Sequence, residues 1–179
     1  MKKIVVLLAL FYFWGCQIPT NNLEKFETQD FLLETPFTIT RNTEIEQQGT
    51  SLMAQMYEKK IDLKSYMGSG KECVLGIYSI DYHMSLKKDN LMNANVMAIL
   101  NIDKTQPVPD IKSKIIYHTD NNILYSNLEY PLFKNGLSIS INSSACLVKD
   151  KIHNVLVVCK DSLQNKQVAN KIVKTFKCK

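Results

Sequence analysis

The pattern of apolar and polar residues along the chain predicts mainly strands. Residues 73–83 are rich in β-branched and aromatic side chains on both parities, which predicts a central strand covered on both faces. Further strands are predicted over residues 112–119, 123–133, 137–148 and 155–159. The Asn135-Gly136 pair predicts a tight hairpin turn, because both residues adopt positive backbone angles readily.

Two segments nearer the N-terminus have weaker patterns. Residues 31–39 predict an edge strand, because Pro36 cannot donate a hydrogen bond to a neighbouring strand. The apolar side chains of residues 50–57 alternate as in a strand, and they also fit one face of a helix. We predict a strand for this segment.

Helical periodicity is found in two places. Asp89 or Asn90 can cap a helix over residues 91–102, and Asp161 or Ser162 can cap a final helix. The final helix has apolar residues at intervals of 3.6: Val168, Ala169, Ile172, Val173 and Phe176. The expected fold class is therefore α+β, an antiparallel sheet of about five to six strands packed with two helices, with the last helix covering one face.

The N-terminus has the pattern of an export signal. Lys2 and Lys3 precede the uncharged, apolar residues 4–14, a run shorter than the roughly 20 residues of a membrane-spanning helix. The Gly15-Cys16 pair that follows resembles the lipobox of bacterial lipoproteins. This resemblance implies a signal peptide over residues 1–15, a lipid on Cys16, a tether over residues 16–30 and one domain over residues 31–179. An uncleaved anchor and a plain secretory signal are the alternatives.

Charge and location restrict the partners. The formal net charge is +5, but no basic stripe with interleaved aromatic residues is present, so we expect no nucleic-acid partner. The lysines of the final helix fit a solvated face better than a surface for lipid headgroups. The lipid on Cys16 would hold the chain on a membrane. The resemblance to bacterial lipoproteins also implies the outer membrane over the inner one, because the family's sorting rules read Gln17 after that cysteine in this way. The domain would then lie in the periplasm or on the cell surface.

Candidate chemistry is sparse. The three histidines, His83, His118 and His153, lie in separate segments and lack zinc-ligand spacing. The chain contains neither G-x-S-x-G nor a glycine-rich phosphate loop, so we expect no catalytic residue, no cofactor and no metal. Asp81 and His83 share one side of a strand, and an envelope hydrolase would depend on that pair.

Cysteine usage predicts two disulfides. Apart from Cys16, an even number of cysteines enters an oxidising compartment: Cys73, Cys146, Cys159 and Cys178. A hairpin around Asp150-Lys151 places Cys146 opposite about Val155, too far from Cys159 for a bond. The final helix returns Cys178 towards Cys146, which leaves the pairs Cys146 with Cys178 and Cys73 with Cys159. The difficulty is parity, since Cys146 faces away from Ile139 and Ile141, the side expected to be covered by the helix.

The order of elements resembles the PsbP-like fold. The features that carry this resemblance are the strand around residues 80–82, the helix over residues 91–102, the Asn135-Gly136 hairpin and the C-terminal helix. That family includes a photosystem accessory subunit and DcrB-type envelope lipoproteins, and the resemblance implies a binding or accessory module. We therefore expect a membrane-anchored, non-enzymatic envelope lipoprotein that binds an envelope protein. The alternatives are a periplasmic immunity protein against a delivered toxin and an envelope hydrolase.

Overall fold

The computed structural model describes residues 23–58 and 60–179. The predicted signal peptide and Cys16 lie outside the described residues. The described helices are α1 (Thr43–Tyr57), α2 (Lys88–Ile102), α3 (Val108–Ser113) and α4 (Leu163–Thr175). None of the helices in these ranges is long and apolar enough to cross a membrane.

The described strands form two antiparallel sheets. In chain order they are β1 (Glu24–Glu27), β2 (Phe31–Thr35), β3 (Thr40–Arg41), β4 (Asp62–Ser69), β5 (Cys73–Asp81), β6 (Ile115–Asp120), β7 (Ile123–Lys134), β8 (Leu137–Val148), β9 (Lys151–Lys160) and β10 (Lys177–Cys178). The large sheet has the order β3-β4-β5-β9-β8-β7-β6, and the small one has the order β1-β2-β10. The fold is α+β, as expected, but it has more strands and helices than the sequence predicts.

The sequence pattern identifies the centre of the large sheet well. β5 lies between β4 and β9, so its apolar residues are buried on both faces. The turn between β7 and β8 uses Asn135 and Gly136, both with positive φ, as the hairpin prediction requires. β6 begins later than predicted, at Ile115, because the preceding residues form α3. β9 is longer than the predicted strand over residues 155–159.

Both faces of the large sheet are covered, and we name each by its helix. The α4 face carries Cys146 and Val157, and it packs against α4 and the small sheet. The α2 face carries Ile141 and Leu128, and it packs against α2 and α3. α1 packs on β4, at the end of the sheet away from β6. The domain is therefore layered, with the large sheet in the middle.

The helix ends follow local capping. Ser162 precedes α4, and its Oγ accepts a hydrogen bond from the Asn165 amide at 3.2 Å, which confirms one of the two predicted caps. α2 begins one turn earlier than expected, after Lys87, so Asp89 and Asn90 lie inside its first turn. The Asn90 carboxamide accepts from the Lys87 amide at 2.8 Å, which still satisfies a backbone donor at the helix start.

The strand predicted over residues 50–57 is wrong, because this segment is the second half of α1. The helix begins after Asn42, whose Oδ1 accepts from the Ile45 amide at 3.0 Å, and Glu44 and Glu46 lie in its first turn. The first half of α1 is polar and shows no helical period. The apolar stretch over residues 50–57 is too short to distinguish a strand from a helix without it.

The N-terminal strands also correct the expectations. β2 ends at Thr35, before Pro36, and it is the middle strand of the small sheet and not an edge strand. β1 lies at Glu24–Glu27, within the segment that the sequence assigns to a tether over residues 16–30. Ring contacts hold this hairpin on the core, with the centroid of Phe26 at 5.4 Å from Tyr66 and at 6.2 Å from Phe31.

Candidate functional site

Two disulfides join the elements around the α4 face. Cys73 and Cys159 are direct neighbours in the β5–β9 pair, with a Cα–Cα distance of 4.1 Å. Cys146 on β8 bonds to Cys178 on β10, with a Cα–Cα distance of 6.6 Å. These are the two pairs that the sequence predicts. Such disulfides are typical of proteins in an oxidising compartment outside the cytoplasm.

The parity difficulty has a structural answer. α4 packs on the side of β8 that carries Cys146, whereas Ile139 and Ile141 face α2. Both sides of β8 are thus covered by helices, so the more apolar side does not identify the position of α4. The β8–β9 turn pairs Val148 with Lys151, so Cys146 lies opposite His153 and not opposite Val155.

Part of the α4 face is uncovered. α4 lies over β8 and β9, and on the same face the side chains in the middle of β6 and the distal half of β7 are exposed. Ile116 is 69% exposed and Phe133 is 73% exposed, although both point to a face that is buried elsewhere. We call this surface the open strip, and it consists of Ile116, His118, Asn127, Glu129, Pro131 and Phe133.

A small cleft separates the open strip from the end of α4. Its volume is about 150 Å³, and its walls include His118, Asp120, Lys174 and Lys177. Drug-sized ligands occupy roughly 300–1,000 Å³, so the cleft admits a single side chain or a small ion. Two lysines against one aspartate give it a positive balance, which suits an anionic group.

His118 and Tyr125, which both line the cleft, contact each other. The rings of His118 and Tyr125 are stacked, with centroids 5.0 Å apart and planes 15° from parallel. The Tyr125 hydroxyl accepts a hydrogen bond from the Cys178 amide at 2.9 Å, next to the Cys146–Cys178 disulfide. Burial raises the pKa of Tyr125, with the Cys178 amide acting in the opposite direction, so the phenol stays neutral.

Asp81 and His83 do not share one side of a strand, because β5 ends at Asp81 and His83 follows it with a positive φ. The structure nevertheless brings the two side chains together, as the hydrolase alternative requires. His83 Nδ1 lies 3.3 Å from Asp81 Oδ1, and His83 Nε2 lies 2.8 Å from Asp62 Oδ2. The hydrogen bond from His83 lowers the pKa of Asp62. Since both ring nitrogens contact carboxylates, neither is left to take a proton from a nucleophile. The pair therefore lacks the arrangement of a serine or cysteine hydrolase.

Asp150 completes a surface cluster with Asp81 and His83. One possible ligand atom from each lies within 4.8 Å of the others, so the three could contact a divalent cation. Lys151 Nζ lies 3.5 Å from Asp81 Oδ2, and this ammonium balances part of the negative charge. The sequence did not reveal that Asp62 and Asp150 belong to this cluster, because β4 was not predicted and the position of the β8–β9 turn was known only roughly.

The three histidines have three different environments. His83 belongs to the surface cluster, His118 lies on the open strip, and His153 is buried beside Cys146. The open strip was not recognised in the sequence, since alternation shows which residues share a face but not where a helix leaves that face uncovered.

Comparisons of this chain with protein-family models and with curated proteins found no match.

Proposed function

We propose that this protein is a membrane-anchored lipoprotein of the cell envelope that acts as a non-enzymatic binding module. Its partner is an envelope protein, and the binding surface is the open strip. The observation that carries the proposal is the exposure of Ile116 and Phe133 on the sheet face that α4 covers over β8 and β9. Large apolar side chains that protrude among polar neighbours are typical anchors of protein interfaces.

The surroundings of the strip support protein binding. Phe133 lies near one end of β7, and His118 and the positive cleft lie near the other end. A partner along β7 would bury apolar side chains and place an acidic side chain in the cleft. The contacts of His83 support a role without catalysis, because both of its ring nitrogens are engaged by carboxylates.

The location is argued from the sequence and the disulfides. Gly15-Cys16 after an apolar run favours a lipid on Cys16, and the two disulfides fit an exported domain. The three acyl chains of a bacterial lipoprotein give stable anchoring, since each buried methylene contributes about 0.8 kcal/mol. Gln17 favours the outer membrane. The α+β architecture supports the PsbP-like resemblance, which implies an accessory or binding role.

Site-specific photo-crosslinking in intact cells tests the binding surface. A photoreactive residue at Phe133 should capture one envelope protein, and the same residue at Glu129 should capture the same protein. Met97 is the matched control, because it is also an exposed apolar side chain but lies on α2, on the other side of the sheet. Equal adducts from Phe133 and Met97, or no adduct from the strip, would contradict the proposal.

Metabolic labelling tests the anchor separately. An alkyne fatty acid should label the wild-type protein, and Cys16→Ser should abolish the label because the acceptor thiol is gone. The control is Cys178→Ser, which removes a thiol that is bonded to Cys146 and leaves Cys16 in place. Equal labelling of the wild type and Cys16→Ser would contradict the lipoprotein assignment.

A further inference from the structure

The two edges of the large sheet differ. At one end β3 has only two residues, so it offers few backbone groups for pairing. At the other end β6 has six residues, Ile115–Asp120, and it pairs only with β7 among the described elements. The outer edge of β6 therefore presents a row of backbone donors and acceptors that can pair with another strand.

β6 also lacks the usual protection of an edge strand. Lysine, proline and bulges discourage such pairing in many proteins, but the sequence Ile-Ile-Tyr-His-Thr-Asp has neither lysine nor proline. Its register with β7 is regular from Ile115 to Asp120, without a bulge. Ile116 is largely exposed here, so an added strand would also cover apolar surface.

The charges along this edge make it complementary to itself. Lys112 and Lys114 precede β6, and Asp120 ends it, all three on the surface or partly exposed. In an antiparallel pair of two identical strands, the basic start of one strand lies beside the acidic end of the other. A parallel pair would place like charges side by side.

We propose that a second copy of this chain pairs with β6, giving a symmetric dimer with one continuous sheet. The register that places Lys114 opposite Asp120 of the second copy also places Ile116 opposite His118 and Tyr117 opposite its own equivalent. Residues of equal parity then face each other, so both the α4 face and the α2 face continue across the dimer. A shift of two residues in one direction places Ile116 opposite Asp120 and loses the Lys114–Asp120 contact. The opposite shift places Ile116 opposite its own equivalent, and it leaves Asp120 opposite Lys112, which lies in α3 and not in the strand.

This pairing uses the backbone edge of β6, whereas the proposed envelope partner binds the side-chain face of the open strip. Each proposal can therefore fail without the other. The dimer is also independent of the lipid on Cys16.

Cysteine crosslinking in intact cells, with copper phenanthroline as the oxidant, tests the register. The Cα atoms of residues directly opposite in an antiparallel pair are about 4.5–5.5 Å apart, within disulfide range, so Tyr117→Cys should crosslink to its own copy. Thr119→Cys is the matched control on the same face of β6. It lies opposite Ile115, and its own equivalent is about 13 Å further along the strand. A reductant should remove the crosslinked band.

Further substitutions in the Tyr117→Cys protein test whether pairing of the β6 edges causes the crosslink. Ile116→Lys should lower the crosslinked fraction at least about tenfold, because it places a lysine at the pairing edge. Phe133→Lys should leave that fraction unchanged, because Phe133 is equally exposed on the same face but lies on β7. Asp120→Lys should weaken the crosslink, and adding Lys114→Asp should restore it.

Three results would overturn the proposal. They are equal crosslinking of the Tyr117→Cys and Thr119→Cys proteins, equal effects of Ile116→Lys and Phe133→Lys, and a crosslink from Tyr117→Cys to a different protein. The last result would assign the edge to a strand of another partner.

Discussion

His153 lies directly opposite Cys146 in the β8–β9 pair, so a buried imidazole is adjacent to the Cys146–Cys178 disulfide. The side chain is almost fully buried, and its ring centroid is 5.8 Å from that of Phe31. Within the described residues its Nδ1 has no hydrogen-bond partner. Burial lowers the pKa of His153 to about 4. The charge of Asp30 acts to raise this pKa, and the charge of Lys151 acts to lower it.

We expect His153 to make the stability depend on pH. The unfolded chain takes up a proton near the ordinary pKa of 6.5, whereas the folded protein resists protonation down to a pKa of about 4. The contribution of the neutral His153 to the free energy of unfolding is therefore fully present above pH 6.5, and it is lost as the pH drops from 6.5 to about 4. The loss should be on the order of 3 kcal/mol, since one pKa unit corresponds to about 1.4 kcal/mol.

Urea unfolding at a series of pH values measures this effect. His153→Phe should flatten the profile between pH 6.5 and 4, while His118→Phe, at an exposed histidine, should leave the slope in place. Glu27 and Glu46 have lowered pKa values, so their contributions are lost only below their ordinary value of 4.5. A slope that survives His153→Phe would show that another group causes it.

The Cys146–Cys178 disulfide should hold the C-terminus in place. β10 has two residues and pairs with β2. Its other contacts are single hydrogen bonds, such as those from the Cys178 amide to the Tyr125 hydroxyl and from the Lys179 amide to the Asp30 carbonyl, so the disulfide is its one covalent link to the large sheet among the described residues. Closing a loop of 32 residues stabilises the folded state by about 4 kcal/mol in the chain-entropy treatment. Replacing both cysteines by alanine should lower the free energy of unfolding by about that amount and speed hydrogen exchange at the backbone amide of residue 178.

The other disulfide provides the control. Cys73 and Cys159 join strands that are already paired over their whole length, so alanine at both positions should leave exchange at the Cys178 amide slow. Equal exchange at this amide in the two double variants would show that the Cys146–Cys178 bond has no special role at the C-terminus.

Strong periodicity predicted the elements that form the middle of the domain. β5, β7, β8 and α4 were found in the sequence because their apolar residues recur regularly and their turns contain Asn-Gly or a capping serine. α1 was missed because its first half is polar and its packing on β4 decides its conformation. β4 was missed because its buried residues, Ser65 on one face and Gly68 on the other, carry no apolar signal.

The candidate surfaces were harder to predict than the elements. The cysteine pairing followed from strand lengths and the return of α4, which are set by distances along the chain. The open strip depends on where α4 crosses the sheet, and the cluster around His83 depends on the pairing of β4 with β5. Neither relationship is local in sequence.

A buried polar network beneath α2 should contribute to stability. Asn95 Nδ2 donates to Ser126 Oγ at 2.6 Å, and Asn95 Oδ1 accepts from Ser143 Oγ at 2.7 Å. All three side chains are buried on the α2 face. Asn95→Ala should lower the free energy of unfolding by about 2 kcal/mol, because it leaves two serine hydroxyls without these partners.

Chemical denaturation with a matched variant on the same helix checks this expectation. Asn93→Ala, at an exposed position of α2, should change the stability by less than about 0.5 kcal/mol. In a double-mutant cycle, Asn95→Ala with Ser126→Ala should cost less than the two single changes added together. Additive costs would mean that the hydrogen bond between the two side chains contributes little.

The C-terminal helix should be essential for folding through Phe176, which directly follows α4. Phe176 is 4% exposed, and its ring centroid lies 5.9 Å from that of Phe31 on the small sheet. This contact joins the last helix to the N-terminal strands above the α4 face. Phe176→Ala should lower the free energy of unfolding by about 3–5 kcal/mol, because it removes a buried ring and leaves a cavity between the two sheets. That is a large part of the 5–15 kcal/mol typical of a domain.

Leu163→Ala is the control for Phe176→Ala, since Leu163 begins the same helix but is 76% exposed. It should shift the free energy of unfolding by no more than about 0.5 kcal/mol. Urea titrations followed by far-ultraviolet circular dichroism measure both variants. If Phe176→Ala and Leu163→Ala unfold at the same urea concentration as the wild type, the Phe31–Phe176 contact does not stabilise the domain, and α4 must be held by its other contacts with β8 and β9.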